Sequence, residues 1–246
     1  AITLQALKTL DGHALAEGQF QFELYQGSTL LDTVANMADG TVTFQPLTYT
    51  DEELGVHTYL IKEKQTPQSG YTLDTAEYTV EITVSDPDTG KLGVEVTAIW
   101  KKTGAEPVKA DTITFTNQYR TQDKKAAFSG RKTLERRALE NGQFTFTFSE
   151  LSENGQTVRT ISNAITHDQT GVFSLPELVY TQADIGKTFL YRLTENNAGA
   201  PGYTYDASVY TLAVSVEDNH DGTLNIVQTI QKDGVPATEI LFENQY

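Results

Sequence analysis

Apolar and polar residues alternate along most of this chain. Phe20, Phe22 and Leu24 are interleaved with Gln19, Gln21 and Glu23, and Phe144, Phe146 and Phe148 with Gln143, Thr145 and Thr147. Val80, Ile82 and Val84 keep the same period of two, as do Leu212, Val214 and Val216. Successive side chains of a strand point to opposite faces, so each run predicts a β-strand with one buried and one wet face. Turn-forming groups separate the runs: Ala38-Asp39-Gly40, Asp86-Pro87-Asp88-Thr89-Gly90, Gln169-Thr170-Gly171 and Asn219-His220-Asp221-Gly222. Only 51–55 and 182–186 read as short helical turns.

The pattern occurs twice. Leu7-Lys8-Thr9-Leu10 returns as Arg131-Lys132-Thr133-Leu134, and Gly18-Gln19-Phe20 as Gly142-Gln143-Phe144, at one offset, 132 − 8 = 144 − 20 = 124. Leu47-Thr48-Tyr49-Thr50 matches Leu178-Val179-Tyr180-Thr181, and Gly70-Tyr71-Thr72 matches Gly202-Tyr203-Thr204, the offset growing through loop length. Both copies end alike, in Phe115-Thr116-Asn117-Gln118-Tyr119 and Phe242-Glu243-Asn244-Gln245-Tyr246. A repeat of this size is a domain duplication. Many short strands in about 120 residues predict a β-sandwich in each copy. The boundaries read as domains over 1–119 and 127–246, joined by a polar linker at 120–126.

The same parity exposes charged groups on apolar faces. Ile2, Leu4, Ala6, Lys8 and Leu10 share one face of the first strand, and Phe128, Lys132 and Leu134 repeat the placement. Tyr59, Ile61 and Glu63 share a face in the middle of the first copy, as do Phe189, Tyr191, Leu193 and Glu195 in the second. On the last strands Ile113, Phe115, Asn117 and Tyr119 align, and so do Ile240, Phe242, Asn244 and Tyr246. Burial disfavours an isolated charge, pushing lysine toward its neutral amine and glutamate toward its acid. Those are the forms that amide formation needs: the amine attacks the asparagine carbonyl carbon, while the acid polarises the carbonyl and moves protons so that ammonia leaves.

A lysine on the first strand, a Tyr-x-x-x-Glu in mid-domain and a terminal Phe-x-Asn-Gln-Tyr, twice in order, resemble the isopeptide-forming domains of streptococcal-type backbone pilins, variants of the CnaB immunoglobulin-like fold. The likeness covers nearly all of both copies. It implies an all-β chain of two tandem immunoglobulin-like (CnaB-type) sandwiches, with Lys8 bonded to Asn117 and Lys132 to Asn244, Glu63 and Glu195 acting as proton shuttles. It implies no cofactor and no turnover chemistry beyond one intramolecular reaction per domain. It further implies a stalk or shaft segment of a pilin or adhesin, extracellular and wall-anchored on a Gram-positive bacterium. The partners would be neighbouring domains of the same surface protein, other pilus subunits and a sortase-linked cell wall. A complete pilin also has a sorting signal and a lysine for polymerisation. No sorting signal is expected here, and Lys109, in Glu106-Pro107-Val108-Lys109, is the nearest candidate intersubunit lysine, set against an ordinary solvated loop residue. At each triad the plainer alternative is an uncrosslinked buried Lys–Glu pair beside an asparagine.

Composition narrows the remaining classes. The chain's 246 residues suit two domains, each able to bury a core, and 12 Tyr with 11 Phe favour packed β-structure over disorder. The net charge, 18 − 33 = −15, repels a phosphate backbone, so nucleic acid is not an expected partner. Seven of the eighteen basic residues, Arg120, Lys124, Lys125, Arg131, Lys132, Arg136 and Arg137, lie in one stretch, read as a solvated linker and hairpin or as a contact for an acidic neighbouring domain. With no cysteine, disulfides, thiolate metal sites and thioesters drop out. No apolar run approaches a membrane span, and the chain reads as a soluble piece of something longer.

His13, His57, His167 and His220 lack metal-ligand spacing, and Asp86, Asp88, Asp218 and Asp221 read as hairpin turns rather than calcium loops. No metal is expected. Trp100, read at the end of a strand, could be a sugar-stacking platform, the feature that would favour the alternative function of a ligand-binding adhesin module for a host matrix protein or glycan.

Overall fold

The computed structural model describes residues 1–88 and 90–246; Thr89, in the turn expected at 86–90, lies outside the described residues. The chain divides into two compact units, Ala1–Arg120 and Thr121–Tyr246. Both are all-β sandwiches of the immunoglobulin-like type, as the alternation predicts.

In the first unit the strands run β1 (Gln5–Asp11), β2 (Gln21–Gln26), β3 (Thr29–Ala35), β4 (Thr41–Thr43), β5 (Gly55–Glu63), β6 (Tyr71–Thr72), β7 (Glu77–Ser85), β8 (Gly93–Lys102), β9 (Val108–Lys109) and β10 (Thr114–Tyr119). They form a small sheet, β4-β1-β10-β6, and a large one, β3-β2-β5-β7-β8-β9. The inward residues Phe22, Phe44, Ile61, Val80, Ile82 and Phe115 are at most 1% exposed and form one core between them. In the small sheet the first and last strands pair in parallel, with Lys8 opposite Phe115 and Leu10 opposite Asn117.

The second unit repeats this with β11 (Lys124–Ala126), β12 (Ser129–Glu135), β13 (Thr145–Leu151), β14 (Thr157–Thr166), β15 (Val172–Ser174), β16 (Leu178–Tyr180), β17 (Thr188–Glu195), β18 (Val209–Asp218), β19 (Leu224–Lys232), β20 (Val235–Ala237) and β21 (Leu241–Gln245). Here β15-β12-β21 is the small sheet and β14-β13-β17-β18-β19-β20 the large one. Again the first and last long strands are parallel, Lys132 lying opposite Phe242 and Leu134 opposite Asn244. The stretch read as a linker, 120–126, is strand at its end: Lys124–Ala126 pair with β16, because Ala126 is buried in the second core and brings its backbone with it.

The two helical turns are single 3₁₀ turns, Asp51–Glu53 and Gln182–Asp184. Two of the expected glycine turns hold the triad lysines in place. Gly40, at φ +89°, accepts the Lys8 backbone N–H at 2.7 Å, and a Cβ there would collide with the Lys8 carbonyl oxygen. Gly171, at φ +86°, does the same for Lys132.

Candidate functional site

In the first unit, Lys8 on β1 and Asn117 on β10 come from adjacent strands of the small sheet, and Glu63 ends β5 of the large sheet. The period of two turns all three inward, so the glutamate meets the other two across the sandwich. Lys8 Nζ donates to Glu63 Oε2 at 2.8 Å, and Asn117 Nδ2 donates to Glu63 Oε1 at 2.6 Å. The Lys8 and Glu63 side chains have no solvent exposure. The second unit reproduces the site: Lys132 Nζ to Glu195 Oε2 at 2.8 Å, Asn244 Nδ2 to Glu195 Oε1 at 2.7 Å, and again no exposure of the two charged side chains.

The electrostatics follow from burial. Loss of water lowers the pKa of Lys8, and the hydrogen bond and charge of Glu63 oppose this without cancelling it. Burial likewise raises Glu63, against the hydrogen bonds from Lys8 and Asn117. Lys132 is lowered and Glu195 raised for the same reasons. Each pair therefore stands closer to amine plus acid than the same residues would in water. With one oxygen on the amine nitrogen and the other on the amide nitrogen, each glutamate can take a proton from the first and deliver it to the second. The ring of Phe20 covers Lys8 Nζ at 4.7 Å from its centroid, and Phe144 covers Lys132 at 4.8 Å.

All six triad residues named from the sequence are brought together, three in each unit. One detail of their expected roles is different. The glutamates were expected on the asparagine carbonyl, yet each faces the amide nitrogen. The carbonyl oxygen is held instead by a backbone N–H: Asp74 N donates to Asn117 Oδ1 at 2.7 Å, and Asp206 N to Asn244 Oδ1 at 2.7 Å. A backbone N–H only donates, so the atom facing it must be the amide oxygen. These aspartates escaped the sequence reading because they lie in loops, where no alternation marks an inward residue. Their signal was positional, since both follow the repeated Gly-Tyr-Thr by two residues.

Other residues fall elsewhere. The tyrosines of the Tyr-x-x-x-Glu motif direct their hydroxyls to other tyrosines: Tyr59 and Tyr191 share hydrogen bonds with Tyr49 and Tyr180, both at 2.8 Å. Lys109 is exposed on the edge strand β9, in the large sheet rather than in a loop, and lines a groove of about 420 Å³. Trp100 is not at a strand end but inside β8, half-buried, between Thr79 and Lys109. His167 is buried, accepting the Phe144 N–H on Nε2 at 3.1 Å; Asn36 Oδ1 does the same for Phe20 at 2.9 Å. Of the seven clustered basic residues, Lys132 is inside the fold and Lys125 pairs with Glu177 at 2.8 Å. Asp86 and Asp218 cap their own turns, accepting the N–H groups of Asp88 and His220. Among the described residues, no helix is long and apolar enough to cross a membrane.

Fold and site together define a class: tandem immunoglobulin-like domains, each with a lysine, glutamate and asparagine buried between its first, middle and last strands. The sequence profile described as Spy0128-like isopeptide containing domain (FctA) matches the chain twice, over residues 4–120 and 128–246. The chain belongs to that family, as a tandem pair of pilin-type domains. Among solved structures, it is similar to the major pilin protein (T-13) of Streptococcus pyogenes, at 19% identity and a TM-score of 0.39, covering 100% of this chain and 97% of that one. It is also similar to a single B repeat unit of the collagen binding surface protein of Staphylococcus aureus, at 13% identity and a TM-score of 0.27, covering 100% and 98%. A third similarity is to the pilus adhesin SpaC of Lactobacillus rhamnosus GG, at 17% identity and a TM-score of 0.28, covering 98% of this chain and 31% of that one. No curated protein matches the chain.

Proposed function

We propose that each domain closes one autocatalytic amide bond, Lys8 to Asn117 and Lys132 to Asn244, and that the pair serves as a stalk segment of a Gram-positive pilin or surface adhesin. The observation that carries this reading is the duplicated geometry. Two domains with different loops and different cores hold the same three side chains, dry and at matching distances. A buried ion pair stabilises a fold weakly or not at all, so its appearance twice calls for another purpose. Proximity in a dry site supplies the reactivity, since the fold has already brought the nucleophile and the amide together. The protein is then structural, with one reaction per domain and no turnover. On the same reading Lys109, exposed on β9, is the amine available for joining one subunit to the next at the cell surface.

Intact mass spectrometry tests the bonds. The measured mass is expected below the sequence mass by two ammonia units, with Lys8–Asn117 and Lys132–Asn244 recovered as crosslinked peptides. Glu63→Ala should lose one of the two units and leave the second domain's bond intact. An unshifted wild-type mass refutes the proposal.

A further inference from the structure

We propose that the backbone N–H of Asp74, and of Asp206 in the second domain, is the oxyanion donor of the amide-forming reaction, and that the aspartate carboxylate is the positioning group that aims it. This rests on the proposed Lys–Asn bonds. The N–H meets the one atom on which negative charge develops, Oδ1 of the asparagine, at 2.7 Å in both domains. The carboxylate is fully engaged in fixing that loop. Asp74 Oδ1 accepts the N–H of Ala76 at 2.8 Å, and Oδ2 accepts the N–H of Thr116, the neighbour of the reacting Asn117, at 2.8 Å. Asp206 makes the same two bonds, to Ser208 N and Glu243 N, each at 2.8 Å. The residues around them differ, Leu73-Asp74-Thr75-Ala76 against Tyr205-Asp206-Ala207-Ser208, while the two carboxylate bonds and the aim of the N–H are the same in both domains.

The reaction balances as follows. The Lys8 ammonium gives a proton to the Glu63 carboxylate, and the neutral amine attacks Cγ of Asn117, forming the new C–N bond and moving the carbonyl pair onto Oδ1. Glu63 passes its proton to Nδ2 and takes one from the attacking nitrogen. The carbonyl re-forms, the bond from Cγ to Nδ2 breaks, and ammonia leaves. The products are a secondary amide, ammonia and a neutral Glu63. Between attack and departure the charge on Oδ1 faces the Asp74 N–H, which is already in place and needs no reorganisation.

The aspartate charge works the other way. It resists loss of the Lys8 proton while favouring that proton's arrival on Glu63, two effects in opposition, and as a like charge it disfavours the negative oxygen that forms beside it on Asn117. Neutralising it would speed the reaction if charge were all that mattered, so Asp74→Asn separates the two effects by sign. This variant keeps an acceptor for Ala76 N–H and loses the second one, to Thr116. The full chain is made by cell-free translation and sampled by intact mass and peptide mapping, with limited proteolysis reporting whether the first domain is folded. The unaltered second domain in the same molecule is the reference clock. Removing an oxyanion donor outright slows acyl chemistry by about 100- to 1000-fold, and misaiming one should slow the first bond by at least ~10-fold in folded Asp74→Asn and further in Asp74→Ala. Asp206→Asn should slow only the second bond. Closure at or above the wild-type rate in folded Asp74→Asn overturns the role of the aspartate while leaving the bond. A wild-type chain that loses no ammonia overturns the bond and this role with it.

Discussion

Force should separate the crosslinked from the uncrosslinked domain more clearly than any other perturbation. The first long strand of each domain lies parallel to the last, with five residue pairs in register from Leu7–Thr114 to Asp11–Gln118 and five more from Arg131–Leu241 to Glu135–Gln245. Pulling on the termini loads these pairs in shear, and the proposed bonds lie across the same two strands. A bond from Lys8 to Asn117 removes 117 − 8 = 109 residues from the path of force, and one from Lys132 to Asn244 removes 244 − 132 = 112. At about 3.3–3.6 Å per extended residue, opening the first loop adds about 360–390 Å of chain, so Lys8→Ala should show one unfolding step of that length. The wild-type pair should show none, because only 246 − 109 − 112 = 25 residues lie outside the loops. Without force, closing a loop of that size is worth about 5 kcal/mol of denatured-state entropy. Against an unfolding entropy of about 0.25 kcal/mol/K for 120 residues, this is roughly 20 °C in the melting temperature of the altered domain. Single-molecule stretching of the full chain and scanning calorimetry read the two quantities. Domain-length steps in the wild-type chain would refute the reasoning, as would a Lys8→Ala domain that melts with the wild type.

Two further expectations concern the groups around the triads. Lys132→Met leaves Glu195 buried without its ammonium, and burial already raises that carboxyl above the ordinary value of about 4.3. Between the unfolded and folded values the native state holds more protons, so stability is full below about pH 4 and falls as pH rises through the raised value. Urea midpoints of the second domain should therefore rise from about pH 7 to about pH 5, by more than in Lys132→Met/Glu195→Gln; equal changes would contradict the raised carboxyl. His167→Asn should cost little in urea stability, since Asn36 already accepts the Phe20 N–H at the matching position, whereas His167→Ala strands a buried N–H at about 1–3 kcal/mol. Equal losses in the two variants would show that His167 has another role.

Legibility in the sequence followed the strands. Lys8, Glu63 and Asn117 were readable because period-two alternation assigns each a face, and a charged residue on an apolar face stands out from its neighbours. The parallel pairing of β1 with β10 was not readable, since alternation fixes the face of a strand and not its partner. Nor was the aim of Asp74: a loop backbone N–H has no side chain to mark it, and its direction is set by hydrogen bonds to residues 76 and 116. The strand at Lys124–Ala126 was hidden by the polar residues around it, with Ala126 alone turned inward. Lys109 and Trp100, read as a loop lysine and a strand end, are cross-strand neighbours because a two-residue edge strand is too short to show a period.

The cost of burying charge explains why the fold would favour the reaction. Before closure each domain holds an ammonium and a carboxylate out of water, an arrangement whose desolvation the mutual attraction only partly offsets. A simple remedy would be an apolar pair of the same volume, yet both domains keep Lys, Glu and Asn together with the aspartate loop that orients the amide. The proposed condensation removes both charges at once: the lysine nitrogen becomes a neutral amide, the glutamate keeps the surplus proton, and ammonia carries the displaced nitrogen into solvent. The lowered lysine and raised glutamate are the first movement along that path, driven by the same burial. Folding thus places the strained charges between the strands that force would load, and on the proposed reading the bond that removes the charges would also carry the load. Glu63→Gln should separate these two contributions. It removes the buried acid without removing volume, so the unlinked domain should stay folded while its bond fails to form, and mass spectrometry with circular dichroism on one sample reads both. A Glu63→Gln chain that still loses two ammonia units would show that proximity alone suffices and that the glutamate is there for the fold.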